Sequence, residues 1–263
     1  MSDPNYSRYQ NVCKNLDQSS ICSFKTNIDI IGIIENVNLN FGNDYLNNIL
    51  KFEESKFIDW SVVKKLNDIG CPYTCRFLID GNPIILSPTT LRYVYYTLDI
   101  LSYIRSLDLT KIQVTEVGGG YGFQSILLFE FAKLFSLEID TYKIIDLPEA
   151  NNMQKQYVIA CESCIEPIMD KIEFCSFYNV EKTNFKSENS FFISNYALGE
   201  FNKEIQDYYM KNVVSFMKHG YICWNFSVGN PTIHSDILRL QPKIEEENPQ
   251  TNCPPVKSYI IKY

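Results

Sequence analysis

From residue 111 onward the hydrophobic pattern alternates between two periods. Short apolar runs at 112–117, 142–145, 172–177, 191–194 and 221–226 have the length and continuity of buried strands. The stretches 123–134, 148–161, 203–218 and 233–240 instead carry apolar residues at helical spacing, as Ile205, Tyr208, Tyr209, Val213, Phe216 and Met217 do in the third of them. Strand and helix in alternation predict a parallel α/β array. The rhythm breaks after 240: 242–247 and 258–263 read as two strands joined by a proline-containing connection at 248–255, with no helix between them. The expected fold class is therefore α/β, a Rossmann-like, mostly parallel sheet of about seven strands closed by a C-terminal antiparallel hairpin.

Upstream of 111 the texture differs. Residues 1–68 mix amphipathic helical stretches with asparagine-rich loops, and 77–86 suggest a small hairpin turning at Asp80-Gly81. Ser87-Pro88-Thr89-Thr90 then offers hydroxyl caps to a helix over 90–106. That helix carries Leu91, Val94, Tyr95, Leu98 and Leu101 on one face and Tyr93, Tyr96, Ile100 and Tyr103 on another, the pattern of a helix buried on both sides. Two domains are expected: 1–108 as a mainly helical N-terminal extension and acceptor-binding cap, and 109–263 as the Rossmann-like domain.

Composition narrows the function classes. At 263 residues, 45% of them hydrophobic and 21% charged, the chain has material for a full core. A formal net charge of −7 without a long Lys/Arg block argues against nucleic acid as a partner, since phosphate binding needs a basic footprint. No run approaches the roughly 18 apolar residues of a membrane helix, and the polar residues 1–15 do not read as a signal peptide. A cytoplasmic protein with no membrane partner is expected. Nine scattered cysteines fit reduced thiols better than disulfides. Cys161-x-x-Cys164 and Cys71-x-x-x-Cys75 are unevenly spaced, which favours buried thiols over a zinc site, so no metal is expected.

The candidate chemistry centres on Glu116-Val117-Gly118-Gly119-Gly120-Tyr121-Gly122, at a strand-to-helix turn. Glycines there let backbone approach a ligand, because no Cβ intervenes and positive φ is cheap. The dinucleotide fingerprint would need its third glycine at Phe123, so that reading fails, and with it most of the case for an oxidoreductase. Asp146 ends the next apolar run, 30 positions after Glu116, where an acid can accept ribose hydroxyls. It could equally cap the helix that Leu147-Pro148-Glu149 begins.

With these residues in place, four stretches together resemble the sugar O-methyltransferases related to those that decorate polyketide-antibiotic sugars, within the class I S-adenosylmethionine-dependent methyltransferases. They are Leu86-Ser87-Pro88-Thr89-Thr90-Leu91-Arg92-Tyr93, the glycine motif from Glu116 to Gly122, Ile144-Ile145-Asp146-Leu147-Pro148-Glu149, and Ile193-Ser194-Asn195-Tyr196-Ala197-Leu198-Gly199-Glu200. Gly199 stands where the family pattern has serine, and residues 1–70 lie outside the resemblance. The resemblance implies S-adenosyl-L-methionine held by Glu116, Gly118, Gly119, Gly120, Tyr121, Gly122, Asp146, Leu147, Ser194 and Asn195. It also implies a sugar, nucleotide sugar or glycan acceptor.

Methyl transfer to a hydroxyl needs positioning and a base. Of two histidines, His219 before Gly220 suits a helix C-terminus, while His234, beyond the fifth strand, lies on the edge where open parallel sheets bind ligands. His234 is the first candidate base, Glu200 the second and Asp80 the third; a surface histidine or acid in a helical first turn is the plain alternative for His234 and Glu200. Asp80, Arg92, Tyr96 and Tyr196 are candidates for acceptor contact, although an aromatic core would also explain Tyr96. A protein, lipid or small-metabolite acceptor, and a catalytically silent cofactor-binding module serving as an oligomerisation partner, stay open as alternatives.

Overall fold

A computed structural model of the chain describes residues 4–182, 185, 188–226, 232–251 and 257–263. By internal contacts the chain forms two compact units that interleave in sequence: 1–102, 120–136 and 148–170 make the first, and 103–119, 137–147 and 171–263 the second.

The first unit holds helices α1 (Pro4–Asn15), α2 (Ile28–Ile31), α3 (Leu39–Ile49) and α4 (Trp60–Asp68), and the strands β1 (Cys75–Ile79) and β2 (Asn82–Leu86). It also holds most of α5 (Pro88–Ser106), with α6 (Phe123–Ala132) and α7 (Pro148–Cys161). Polar side chains start the helices: Asn38 accepts the Phe41 N–H, and Asp59 accepts those of Ser61 and Val62. The β1–β2 hairpin turns through Asp80 and Gly81, both at positive φ (49° and 79°), the combination a two-residue hairpin turn favours. Buried Asn67 fastens the end of α4 to the start of α5, its Oδ1 accepting from the Ser87 N–H (2.7 Å) and the Thr90 hydroxyl (2.8 Å). α7 is bound to the N-terminal residues: Asn152 donates to the carbonyls of Cys13 and Leu16, both at 2.9 Å, and Tyr157 Oη donates to Leu66 O at 3.2 Å.

The second unit holds β3 (Lys111–Val117), β4 (Glu138–Asp146), β5 (Ile172–Ser176), β6 (Ser190–Asn195), β7 (His219–Trp224), β8 (Lys243–Glu246) and β9 (Tyr259–Lys262), with helices α8 (Lys203–Asn212) and α9 (Ser235–Arg239). The strands form one sheet in the order β5-β4-β3-β6-β7-β9-β8. Pairings among β3 to β7 are parallel, and β9 runs antiparallel to β7 and to β8. This is the Rossmann-like, mostly parallel seven-stranded sheet with a C-terminal antiparallel hairpin that the alternation predicts. Its apolar core joins Val117, Ile145, Phe192, Ile222, Trp224 and Ile261 to Tyr209, Met210, Val213 and Ile237. Each fully buried side chain of this size contributes roughly 1.5–3 kcal/mol.

Two local expectations are corrected. The helix expected over 203–218 stops at Asn212, because Val213 leaves helical geometry (φ −130°, ψ −66°) and a tight turn over Val214–Phe216 follows. His219, expected at a helix C-terminus, is instead the first residue of β7. Pairing with Phe191, and the exchange of backbone hydrogen bonds between Gly220 and Tyr263, draw it into the sheet, where burial lowers its pKa. No helix among the described residues is long and apolar enough to cross a membrane.

Candidate active site

The strand order reverses beside β3: the chain runs outward through β4 and β5, then returns to the other side of β3 as β6 and β7. In open parallel sheets ligands bind outside the carboxyl ends of the strands at such a reversal. β3 and β4 pair in parallel with Glu116 opposite Ile144 and Val117 opposite Ile145, so Glu116 and Asp146 come to the same edge. Glu116 is 2% exposed and its Oε2 accepts a hydrogen bond from Tyr142 Oη at 2.9 Å. Burial pushes its pKa up to about 8, against the pull of the Tyr142 bond and with a further rise from the charge of Asp146. Asp146 Oδ2 accepts from the Gly119 N–H (3.2 Å) and Oδ1 from the Leu147 N–H (2.9 Å), while Gly118 N–H donates to Ile145 O (3.1 Å). One carboxylate therefore fastens the glycine turn and also begins the connection to α7, where Pro148 and Glu149 occupy the first turn.

The glycine turn needs its glycines. Gly118, Gly120 and Gly122 have φ of 77°, 55° and 89°, which side-chain-bearing residues adopt only under strain. A Cβ on Gly118 would lie 2.2 Å from that of Ala197, in the loop after β6. Gly199, the departure from the family pattern, has the same kind of reason: a Cβ there would lie 2.2 Å from the Asn225 carbonyl oxygen. Fully buried Ser194 ties that loop to β3, donating to Val117 O (3.0 Å) and accepting the Leu198 N–H (3.1 Å). Asn195 ends β6. Tyr196 follows in the left-handed region (φ 64°), its N–H donating to Cys223 O and its phenol to the carboxylate of Glu247. Glu247 is 3% exposed and also accepts from the N–H and hydroxyl of Thr251. The Glu200 carboxylate, exposed on the same loop, accepts from Asn225 Nδ2.

Sequence expectation and structure meet unevenly. Glu116, Gly118, Gly119, Asp146, Leu147, Ser194, Asn195, Tyr196 and Glu200 belong to the second unit, and Gly120, Tyr121 and Gly122 to the first. His234 is 6% exposed, and both of its ring nitrogens are engaged: Nδ1 accepts the Asp236 N–H at 3.2 Å and Nε2 meets Asp207 Oδ1 at 2.7 Å. Accepting at Nδ1 puts the proton of the neutral ring on Nε2, so the ring donates to Asp207 and caps α9. The Asp207 pKa is lowered by hydrogen bonds from Lys203 and then His234. Residues 227–231, which lead from β7 towards His234, lie outside the described residues. In the first unit, Arg92 donates to Ile34 O (3.0 Å) and Asn36 Oδ1 (3.2 Å), Tyr96 is 1% exposed against the rings of Tyr45 and Tyr95, and Asp80 heads the β1–β2 turn. No group of metal-ligating side chains occurs among the described residues.

A nucleoside-bearing cation fits this edge. Glu116 is a buried acid that a positive charge would ionise, and Asp146, whose charge raises the Glu116 pKa, ends the adjacent parallel strand. Sequence reading missed Tyr142, Glu247, Asn225 and Asp207, which orient Glu116, Tyr196, Glu200 and His234. Only the parallel register could have pointed to Tyr142, two residues before the position paired with Glu116.

No family model matches the chain, and no curated protein matches it in sequence. Among solved structures it is similar to a methyltransferase domain of bacterial CtHen1 (TM-score 0.44, 11% identity, 64% of this chain and 95% of that one). It is also similar to geranyl diphosphate methyltransferase in complex with GPP and sinefungin (TM-score 0.41, 11% identity, 65% and 80%). A third is a protein of Galdieria sulphuraria provisionally named a sarcosine dimethylglycine methyltransferase (TM-score 0.39, 14% identity), of which the chain spans about half, 48%, with 52% of its own length. At these scores the strand order, rather than the likeness, carries the fold.

Proposed function

We propose that the chain is an S-adenosylmethionine-dependent O-methyltransferase acting on a hydroxyl of a sugar, nucleotide sugar or glycan in the cytoplasm. The observation that supports it most is the pair Glu116 and Asp146, brought to adjacent parallel strand tips around a glycine turn where the strand order reverses. When bound, the cofactor would supply an electrophilic methyl group on a sulfonium. Asp146, at the tip of β4 beside the glycine turn, would accept the ribose hydroxyls. Glu116 favours a cationic ligand and, with Asp146 close enough to raise its pKa, disfavours a pyrophosphate. A base must reach the acceptor hydroxyl, and Glu200 is better placed than His234: its carboxylate is exposed on the loop after β6, whereas the His234 ring is 6% exposed and caps α9. Tyr196, held by Glu247, is the acceptor contact nearest to Glu200 in the chain. The sugar class rests on the four stretches that resemble the sugar O-methyltransferases.

Calorimetry with S-adenosylmethionine, S-adenosylhomocysteine and NAD tests the cofactor: the first two should bind and NAD should not, and a preference for NAD overturns the reading. Mass spectrometry after incubation with methyl-free nucleotide sugars and oligosaccharides tests the acceptor class. With a methylated product in hand, Glu200→Gln should lose roughly 10²–10⁴-fold in turnover and His234→Ala much less. The reverse order would return the base to His234.

A further inference from the structure

The first unit buries an ion pair that the chemistry above does not use. Lys25 (1% exposed) and Glu35 lie in the N-terminal region, outside the family resemblance, with Lys25 Nζ 3.9 Å from Glu35 Oε1 and both side chains almost wholly buried. Burying a charged pair costs desolvation, so its partners decide whether it is tolerated. These partners converge on the second half of the glycine turn. Glu35 Oε1 accepts from Tyr121 Oη at 2.8 Å, and Oε2 from Ser87 Oγ at 2.9 Å. Lys25 Nζ stands 4.4 Å from the centre of the Tyr121 ring, 4.9 Å from that of Tyr157 and 5.4 Å from that of Phe123, an aromatic cage around a cation. The cage is closed by edge contacts of Tyr121 with Tyr157 (4.8 Å) and Phe24 (5.6 Å). Gly120 is held from two further sides: its carbonyl accepts from Gln154 Nε2 at 3.1 Å, and a Cβ on it would meet Tyr93 Oη at 2.9 Å. The backbone of Lys25 is itself fixed by the Gly70 carbonyl at 2.9 Å.

We propose that Lys25 and Glu35 are positioning residues for the cofactor site: the buried pair clamps Tyr121, and through it sets the glycine turn from Gly120 to Gly122 in its binding geometry. The inference rests on the proposed cofactor reading and deepens it. It makes a stretch without any recognisable motif a condition of cofactor affinity. One carboxylate oxygen takes the Tyr121 phenol, while the ammonium lies over the Tyr121 ring and donates to Tyr157 Oη at 3.3 Å, so both members of the pair bear on the tyrosine of the turn.

The test uses the full chain and S-adenosylhomocysteine as probe, by calorimetry well below the melting temperature. Removing both charges together, in Lys25→Met with Glu35→Met, leaves no lone buried charge and takes the acceptor away from the Tyr121 phenol. The clamp predicts roughly tenfold weaker binding in a variant that stays folded, and Tyr121→Phe, which deletes only the phenol that meets Glu35, should lose a similar factor. Wild-type affinity in the folded double variant overturns the clamp. So does weak binding by Tyr121→Phe beside normal binding by the double variant, which would make the phenol a ligand contact in its own right. Should the double variant not fold, hydrogen exchange on Tyr121→Phe decides: the clamp requires faster exchange both in 120–122 and in 30–35, and a change confined to the turn refutes it. Failure of the wild type to bind the probe removes the cofactor reading itself, and the clamp with it.

Discussion

At the scale of single residues, the acid at the end of β3 makes the apo protein sensitive to pH. The pKa of Glu116 is about 8 in the folded chain against an ordinary 4.5, so between those values the native state holds a proton that the unfolded chain has released. The corresponding stability is fully present below about pH 4.5 and is lost as pH rises through about 8, with a slope of up to about 1.4 kcal/mol per pH unit within that window. Glu116→Gln stays neutral and keeps an oxygen for Tyr142. Melting temperatures taken from pH 5.5 to 8.5 should therefore fall with pH more steeply in the wild type, and parallel curves would show that Glu116 is ionised throughout. Asp146 has two duties, and a single substitution should separate them. Asp146→Ala should weaken cofactor binding by roughly 1.5–3 kcal/mol, the scale for hydrogen bonds to a charged group. It should also lower the melting temperature, because the Gly119 and Leu147 N–H groups lose their acceptor. Unchanged affinity with a lowered melting temperature would leave Asp146 as a fastener of the turn and nothing more.

At the scale of elements, the glycine turn and the loop after β6 depend on each other. Gly118→Ala should cost about 1–3 kcal/mol through its positive φ, and more through the 2.2 Å approach to Ala197. Adding Ala197→Gly should recover the second part and not the first, so denaturant unfolding of the single and double variants separates strain from collision; full recovery would show that the positive φ costs nothing here. The sequence made these elements legible to different degrees, for physical reasons. The strands and the glycine turn are written in local periods and local composition, each readable from a window of a dozen residues, and the C-terminal hairpin from the two short runs that β8 and β9 occupy. The end of α8 was not, because residues 213–217 keep helical spacing while the β6–β7 pairing takes the following residues into the sheet. Nor were the partners of the site acids: Tyr142 lies 26 residues from Glu116 and Glu247 lies 51 from Tyr196, distances bridged by strand register, which no local period encodes. Lys25 and Glu35 carried no signal at all, since an ion pair among aromatic rings is ordinary in sequence and unusual only once folded.

At the scale of the whole chain, the two units share the sequence in alternating pieces, and this limits what can be cut. α6 and α7 follow β3 and β4 in the chain, yet by contacts they belong with the N-terminal helices. The contacts are specific: Asn152 donates to Cys13 O and Leu16 O, Gln18 to Gln156, Tyr157 to Leu66 O and, through its ring, encloses Lys25. A fragment of residues 109–263 would keep every strand of the seven-stranded sheet and lose all of these partners. Tyr121, Phe123, Met153 and Tyr157, each fully buried in the intact chain, would then face water on the side the N-terminal residues now cover. At roughly 1.5–3 kcal/mol for each large apolar side chain, that exposure matches the whole stability of an ordinary domain. The fragment should accordingly bind a hydrophobic dye, show weak near-ultraviolet dichroism and unfold without a sharp transition, while the full chain melts cooperatively. If the fragment instead melts cooperatively and binds S-adenosylhomocysteine as tightly as the full chain, α6 and α7 do not depend on the N-terminal residues, and a division near residue 108 describes the protein better than interleaved units.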